Sequence, residues 1–263
     1  MDDLAWVEEE SDVREEGLGD VGDVAAGCLL GGRFRLHEVL GSGGMATVYR
    51  ATDALTGGVV AAKVVRPGPG IGRRIIGLRT EAEALGSLDH PNVPAVVHFG
   101  RHGPRSFLCM ELAPRGSVAS AVTARGPLPE ALAVRWIVQV LCALDAVHGK
   151  GMVHRDVKPG NILLASETRA MLADFGTVKV PSGTGLRTHY GSVVGTLSYM
   201  APEQVSSGDE VDHRADIYSV GATLFGMIAA RTPFGLEGDP ARLLTLSARL
   251  GELGGRAVRR APD

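Results

Sequence analysis

Residues 34–65 read FRLHEVLGSGGMATVYRATDALTGGVVAAKVV, and the pattern within them decides the architecture. Phe34 and Leu36 begin an alternation that runs to Leu40, the spacing of a strand with one covered face. Gly41-Ser42-Gly43-Gly44 then requires a turn, and Thr47–Ala51 returns as a second strand. Gly57-Gly58 turns the chain again, and Val59–Val65 forms a third strand. Strands joined by such short turns, with no helix between them, pair antiparallel. Pro67–Gly72 breaks the pattern, and Arg74–Leu88 then places Ile75, Leu78, Ala82 and Leu85 on one helical face. Val93–Gly100 and Phe107–Leu112 read as two more strands, so five strands and one helix are expected before residue 112.

Beyond Leu112 the periodicity becomes helical. Pro129–His148 carries Ile137, Val140, Leu141, Leu144 and Val147 at helical spacing, and Gly149 and Gly151 close it. Short strand-like pieces flank Asn161–Leu164 and Met171–Leu172. Ala215–Ala230 is apolar on nearly all sides, which predicts a helix buried in the middle of a domain. The expected class is α+β in two lobes: a small antiparallel β lobe over 32–112 and a larger helical lobe over 113–263. A cleft is expected near Glu111–Pro114, and small-molecule sites favour such clefts.

The chain has 263 residues, 44% of them hydrophobic and 5% aromatic, with 36 Gly and 14 Pro, a mixture suited to a loop-rich enzyme rather than a helical bundle. Residues 1–31 hold ten acids against Arg14, a net charge of −9, and read as a disordered acidic tail. The whole chain carries −3, so the remainder is mildly basic at +6. The net charge of −3 argues against nucleic-acid or membrane-surface partners, while a mildly basic body is what a binder of polyphosphate would have. Cys28, Cys109 and Cys142 show no pairing or metal spacing, the usage of reduced thiols in a cytoplasmic protein. No run of 18 apolar residues occurs, so no membrane segment is expected.

Taken singly, the glycine-rich turn is more often a hairpin than a nucleotide cradle, Lys63 an ordinary strand-end lysine, and His154 a structural histidine. Their order and spacing carry more. Leu40-Gly-Ser-Gly-Gly-Met-Ala-Thr-Val-Tyr49 is followed by Ala61-Ala-Lys63, by Glu81, and nine residues later by His90-Pro-Asn-Val93. His154-Arg-Asp-Val-Lys-Pro-Gly-Asn161, Asp174-Phe-Gly176, Gly195-Thr-Leu-Ser-Tyr-Met-Ala-Pro-Glu203 and Asp212–Gly221 complete the series. In these motifs, from about Phe34 to Phe234, the chain resembles a eukaryotic-type (Hanks-type) protein kinase of the bacterial serine/threonine branch.

The resemblance implies an enzyme that transfers the γ-phosphoryl group of ATP to Ser/Thr hydroxyls of proteins, itself included, through homodimer encounters. Gly41, Ser42, Gly43 and Gly44, with Leu40, would cover the phosphates; Ala46 stands where the family's third glycine is usual. Lys63 would hold the α- and β-phosphates and pair with Glu81, with Glu83 as the rival partner. Asp156 would accept the substrate's proton, Lys158 would stabilise the moving phosphate, and Thr196 would join the two. Asn161 and Asp174 supply hard oxygens suited to Mg²⁺, with Mn²⁺ as its substitute. Val48, Ala61 and Leu163 would sandwich adenine, Glu111 and Ala113 would meet its edge, and Met110 would guard the pocket behind. His154 and Phe175 would belong to an apolar stack anchored by Asp216.

Arg155 before Asp156 implies regulation by a phosphate on the activation segment, with Thr188 and Ser192 as acceptors and Thr184 behind them. After Arg231-Thr-Pro-Phe234 the family pattern would continue through further helices, so the helical lobe is expected to be incomplete beyond about residue 234. One helix is expected over Leu243–Leu253. Arg256, Arg259 and Arg260 match no family arginine, which would leave Glu203 buried without a cation. The alternatives are a truncated or inactive nucleotide-binding pseudokinase acting as a scaffold, and a small-molecule phosphotransferase. The stretch Gly195–Glu203, which would shape a peptide docking site, argues against the last.

Overall fold

The computed structural model describes residues 24–177, 197–206, 211–234 and 245. The chain forms two compact units. The first takes the described residues through Ser87 together with Pro94–Leu112, and the second takes Leu88–Val93 and the described residues from Ala113 onward.

The first unit is one antiparallel sheet of six strands and one helix. The strands are β1 (Leu29–Leu30), β2 (Phe34–Ser42), β3 (Ala46–Asp53), β4 (Val59–Val65), β5 (Val96–His102) and β6 (Arg105–Glu111), in spatial order β1-β2-β3-β4-β6-β5. Along β3, Thr47, Tyr49, Ala51 and Asp53 point inward while their neighbours are only partly covered, the two-residue period of a strand. Leu30, Phe34, Leu36, Tyr49, Ala51, Val60, Ala62, Val64, Phe107 and Cys109 close into one apolar cluster. Helix α1 (Ile71–Gly86) packs against β4, β5 and β6 and buries Leu78, Glu81, Ala82, Ala84 and Leu85. Leu78, Ala82 and Leu85 are buried as the periodicity predicts, Ile75 is only partly covered and Ala84 joins the face instead; the buried acid among them is the exception that needs a partner.

Two boundaries differ from the sequence reading. Leu29–Leu30 pair with Arg35 and Phe34, and Leu30 is fully buried, so the sheet begins inside the stretch read as a tail. Leu88–Val93 belongs with the second unit because the Asn92 amide donates to Gln139 Oε1 and to the Ala170 carbonyl, both at 2.8 Å. The Asn92 carbonyl in turn accepts from Leu172 N, also at 2.8 Å.

A part-buried ion pair, its carboxylate covered and its guanidinium partly exposed, fixes the β3–β4 turn. Arg33 Nε and Nη2 each donate to the Asp53 carboxylate at 2.7 Å, and Leu55 N and Thr56 Oγ1 add bonds of 3.0 and 2.9 Å. These donors, the Arg33 guanidinium first, hold the Asp53 carboxyl far below the usual carboxylate range against the opposing effect of burial. A depressed folded-state value means stability that is present above about pH 4, the unfolded carboxylate's range, and lost as pH falls from there toward the folded value. Asp53→Asn is therefore expected to flatten the decline of unfolding free energy between neutral and acid pH, measured by urea titration at each pH. An unchanged decline would contradict it. Nearby, burial pushes the Cys109 thiol up to about 12, which makes it an inert packing group.

In the second unit the long helices are α3 (Glu130–His148) and α5 (Arg214–Ala229), with the shorter α2 (Val118–Arg125) and α4 (Pro202–Ser206). A two-stranded hairpin, β7 (Ile162–Leu164) and β8 (Ala170–Leu172), packs on α3. By length and composition α3 could cross a membrane. Here its apolar face, Trp136, Ile137, Val140, Leu144 and Val147, is buried in the unit's core. Among the described residues α5 is less enclosed than its sequence suggests, since Ile217 is 48% exposed. Apart from Thr245, the helix expected over Leu243–Leu253 lies outside the described residues.

Candidate active site

Lys63 sits in the middle of β4, opposite Val48 on β3 and Leu108 on β6, so its backbone is held on both sides. Its ammonium donates to both oxygens of Glu81, at 2.9 and 2.7 Å. The Glu81 side chain is 3% exposed and that of Lys63 19%, so the pair is largely removed from water. Glu83 instead takes Arg79, one turn earlier, in an exposed pair at 2.9 Å. The structure thus joins Lys63 to Glu81 and not to the rival. Leu40 and Gly41–Gly44 form the exposed end of β2 and the turn after it, with Gly43 N donating to the Ala46 carbonyl at 3.0 Å. Val48 is partly covered, and Ala61 and Met110 are buried directly opposite one another on β4 and β6. Glu111, paired with Val60 at the end of β6, donates its N–H to the Ala95 carbonyl at 2.9 Å.

The second unit assembles its polar residues on the loop between α3 and β7. Lys158 Nζ donates to both Asp156 oxygens, at 3.0 and 2.8 Å. Asn161 Nδ2 donates to the Asp156 carbonyl at 2.8 Å and to Asp156 Oδ2 at 2.9 Å. With both amide hydrogens turned to Asp156, the Asn161 Oδ1 is the atom left to face a cation. Asp174 follows β8 with φ of 65°, as Arg155 has 69°, left-handed conformations that cost a non-glycine residue free energy and cluster at functional sites.

Buried bonds hold these conformations. Asp216 on α5, fully buried, accepts from His154 N at 2.9 Å, Arg155 N at 2.7 Å and His148 Nε2 at 2.7 Å. Burial opposes ionisation of Asp216, but the His148 hydrogen bond and the two backbone donors outweigh it and lower the carboxyl's pKa. His154 Nδ1 accepts from Asp156 N at 3.3 Å, so Nε2 carries the proton and donates to the Ala173 carbonyl at 3.1 Å. The ring meets Phe175 edge-on, centroids 4.8 Å apart. One imidazole thus ties the loop bearing Asp156 to the segment bearing Asp174.

Sequence reasoning missed Gln204 on α4, whose Nε2 donates to the Arg155 carbonyl at 2.9 Å while its Oε1 accepts from Ala201 N at 3.0 Å. It missed Asn92 and Gln139 too, which bind the β7–β8 hairpin to α3. Glu203 is only partly buried, and its charge acts on Arg214, behind Asp212, and on Tyr218, so the expected isolation is not found. Leu163 lies on β7 opposite Met171, and Ala113 O accepts from Gly116 N at 3.3 Å. Thr196, Thr184, Thr188 and Ser192 lie outside the described residues.

The donor set suits a magnesium ion chelated with phosphates. Among the described residues no cluster of three or more His, Cys, Asp or Glu could hold a metal by itself. Mg²⁺ is usually bound through one or two carboxylates plus substrate phosphate oxygens, and Asp174 with Asn161 Oδ1 offers that few and that kind of ligand.

Comparison with known proteins agrees with this geometry. Residues 34–247 match the protein kinase domain family. The chain is 37% identical over 220 residues to serine/threonine-protein kinase PknL of Mycobacterium tuberculosis, covering 83% of this chain and 54% of that protein. It is 35% identical over 255 residues to PknA of Corynebacterium glutamicum, covering 89% of this chain and 53% of that one. With PrkC of Bacillus subtilis the identity is 34% over 221 residues, 84% of this chain and 34% of the relative. The chain therefore spans about half, or less, of these relatives' length. On the match over residues 34–247 and these identities, the chain belongs to the protein kinase family, in its Hanks-type bacterial serine/threonine branch.

Proposed function

We propose that this chain catalyses transfer of the γ-phosphoryl group of ATP to serine or threonine hydroxyls of proteins, a second copy of itself among them. The observation that carries the reading is the arrangement on one loop of Asp156, Lys158 and Asn161, with the base bracketed by a cation and an amide. Phosphoryl transfer asks little covalent chemistry of a protein; positioning and charge neutralisation dominate.

In the step itself the acceptor hydroxyl forms a new O–P bond, the bond from γ-phosphorus to the bridging oxygen breaks, and ADP leaves with that electron pair. Asp156 orients the hydroxyl and receives its proton. Lys158, stationed at the Asp156 carboxylate, neutralises charge on the moving group. Lys63, aimed by Glu81, holds the α- and β-phosphates, and the exposed glycine-rich turn gives its backbone close approach to them. Asn161 and Asp174 would hold magnesium, which would supply positive charge to neutralise the phosphates. Glu111 C=O and the Ala113 N–H are assigned to the adenine edge, between Val48, Ala61 and Leu163, with Met110 behind. A cytoplasmic setting, where ATP and magnesium are supplied and thiols stay reduced, fits this chemistry.

The test is incubation of the full chain with γ-labelled ATP, magnesium and a generic acceptor protein, followed by phosphoamino-acid analysis. Label on phosphoserine and phosphothreonine that requires the metal is expected. ATP binding without any transfer would favour the pseudokinase alternative and overturn the proposal.

A further inference from the structure

The residue just beyond β4 carries a role that none of the kinase motifs assigns. Arg66 donates from Nε to Thr47 Oγ1 at 2.9 Å, from Nη1 to the Gly43 carbonyl at 3.1 Å and from Nη2 to Ser42 Oγ at 2.6 Å. Its own N–H donates to the Met45 carbonyl at 2.9 Å. All three guanidinium nitrogens therefore grip the turn between β2 and β3. Gly43 and Gly44 lie in that turn and Gly41 just before it, the residue type that loses most conformational freedom on ordering, and the stretch is exposed. The strand pairing of Gly41 with Val48 and of Ser42 with Thr47 leads into it, and a bond from Gly43 N to the Ala46 carbonyl at 3.0 Å lies within it.

The grip continues to the helix. Arg74 on α1 donates from Nη1 to the Arg66 carbonyl at 3.0 Å and to the Pro67 carbonyl at 3.2 Å, and from Nη2 to the Pro69 carbonyl at 3.0 Å. The helix that supplies Glu81 to Lys63 and the turn assigned to the phosphates are thus joined through two arginines within one unit.

We propose that Arg66 is a positioning residue for ATP phosphates: it acts through Ser42, Gly43 and Thr47 to hold the glycine-rich turn in its phosphate-binding shape. The inference rests on the nucleotide-binding reading above. A planar guanidinium can serve three acceptors in one fixed geometry, and an ammonium cannot reproduce that fork. The phosphates are bound by turn backbone, so loosening the turn weakens ligands that carry phosphates and spares those that do not.

Calorimetric titration of the full chain with ATP–magnesium and, separately, with adenosine tests this. Arg66→Ala and Arg66→Lys are each expected to weaken ATP about tenfold, the size of about one lost charge-assisted bond, and to leave adenosine affinity unchanged. Hydrogen exchange at the Gly43 amide should quicken in both variants. The double change Ser42→Ala with Thr47→Val, which removes two acceptors and keeps the arginine, should reproduce most of the ATP loss. Equal loss for ATP and adenosine would reduce Arg66 to a general structural role. A full ATP loss in Arg66→Ala with none in the acceptor double variant would make it a direct phosphate ligand; either result overturns the proposal. Failure of the unaltered chain to bind ATP would instead overturn the reading beneath it.

Discussion

Replacing Asp156 by Asn is expected to lower phosphoryl transfer by about 10²–10⁴-fold, the usual contribution of a positioned general base, with ATP affinity held near its original value. The substitution keeps the side chain's size and removes its ability to take a proton. It also disturbs the bracket around it. The carboxylate accepts from Lys158 at both oxygens and from Asn161 at one, whereas an amide offers a single acceptor oxygen and turns an N–H₂ group toward two donors. Initial rates with a protein acceptor, alongside calorimetric titration with ATP, separate the two consequences. If transfer falls less than about tenfold, far short of a general base's share, Asp156 is a bracket for its neighbours and not the base.

Lys63→Met is expected to have two separable effects. Transfer should fall about 10²–10³-fold, as when other preorganised donors aimed at a reacting anion are removed. Stability should fall by about 3 kcal/mol, the low end for breaking a buried ion pair, because Lys63 retains some exposure while Glu81 has almost none. Replacing both partners with apolar groups is often neutral, since no uncompensated charge is left behind. The double variant Lys63→Met with Glu81→Leu should therefore recover the urea midpoint and remain inactive. Recovery of activity along with stability would show that the pair only holds the unit together and does not handle phosphate.

Much of this arrangement was legible in the chain. The strand Val59–Val65 was read with the limits found, and the turns on either side of Thr47–Ala51 fixed the antiparallel order. The nine-residue step to His90 favours Glu81 over Glu83, and helix geometry alone points the same way. Glu81 lies three residues after Leu78 and four before Leu85, on the buried face, and Glu83 falls off that face.

What escaped was either short or tertiary. Helix α2 has eight residues and a single fully buried side chain, Val118, too little for a period to show. Its usable signal was the cap, in which Ser117 and Ser120 bond reciprocally at 3.2 and 3.0 Å before Gly126 ends the helix. Strand β1 is two residues long, an apolar pair between Gly27 and Gly31, and acquires meaning only when it meets Phe34. Gln204, Gln139 and Asn92 look like surface amides until partners 47 or 49 residues away cover them. The left-handed backbone at Arg155 and Asp174 has no sequence signature, because neither is glycine. Asp216 and its three donors impose it at Arg155, and that too is a contact across more than 60 residues.

The central proposal is that Asn161 and Asp174, whose segments in the second unit are joined by the bond from Ala173 N to the Asn161 carbonyl at 2.9 Å, serve one magnesium-bound triphosphate. A double-mutant cycle on ATP affinity tests it directly, using Asn161→Ala, Asp174→Asn and their combination, with magnesium present throughout. Groups that share one ligand couple, so the combined loss should depart from the sum of the single losses by about 0.5–3 kcal/mol. Losses that add to within about 0.5 kcal/mol would mean that the two residues act independently, and would contradict the account.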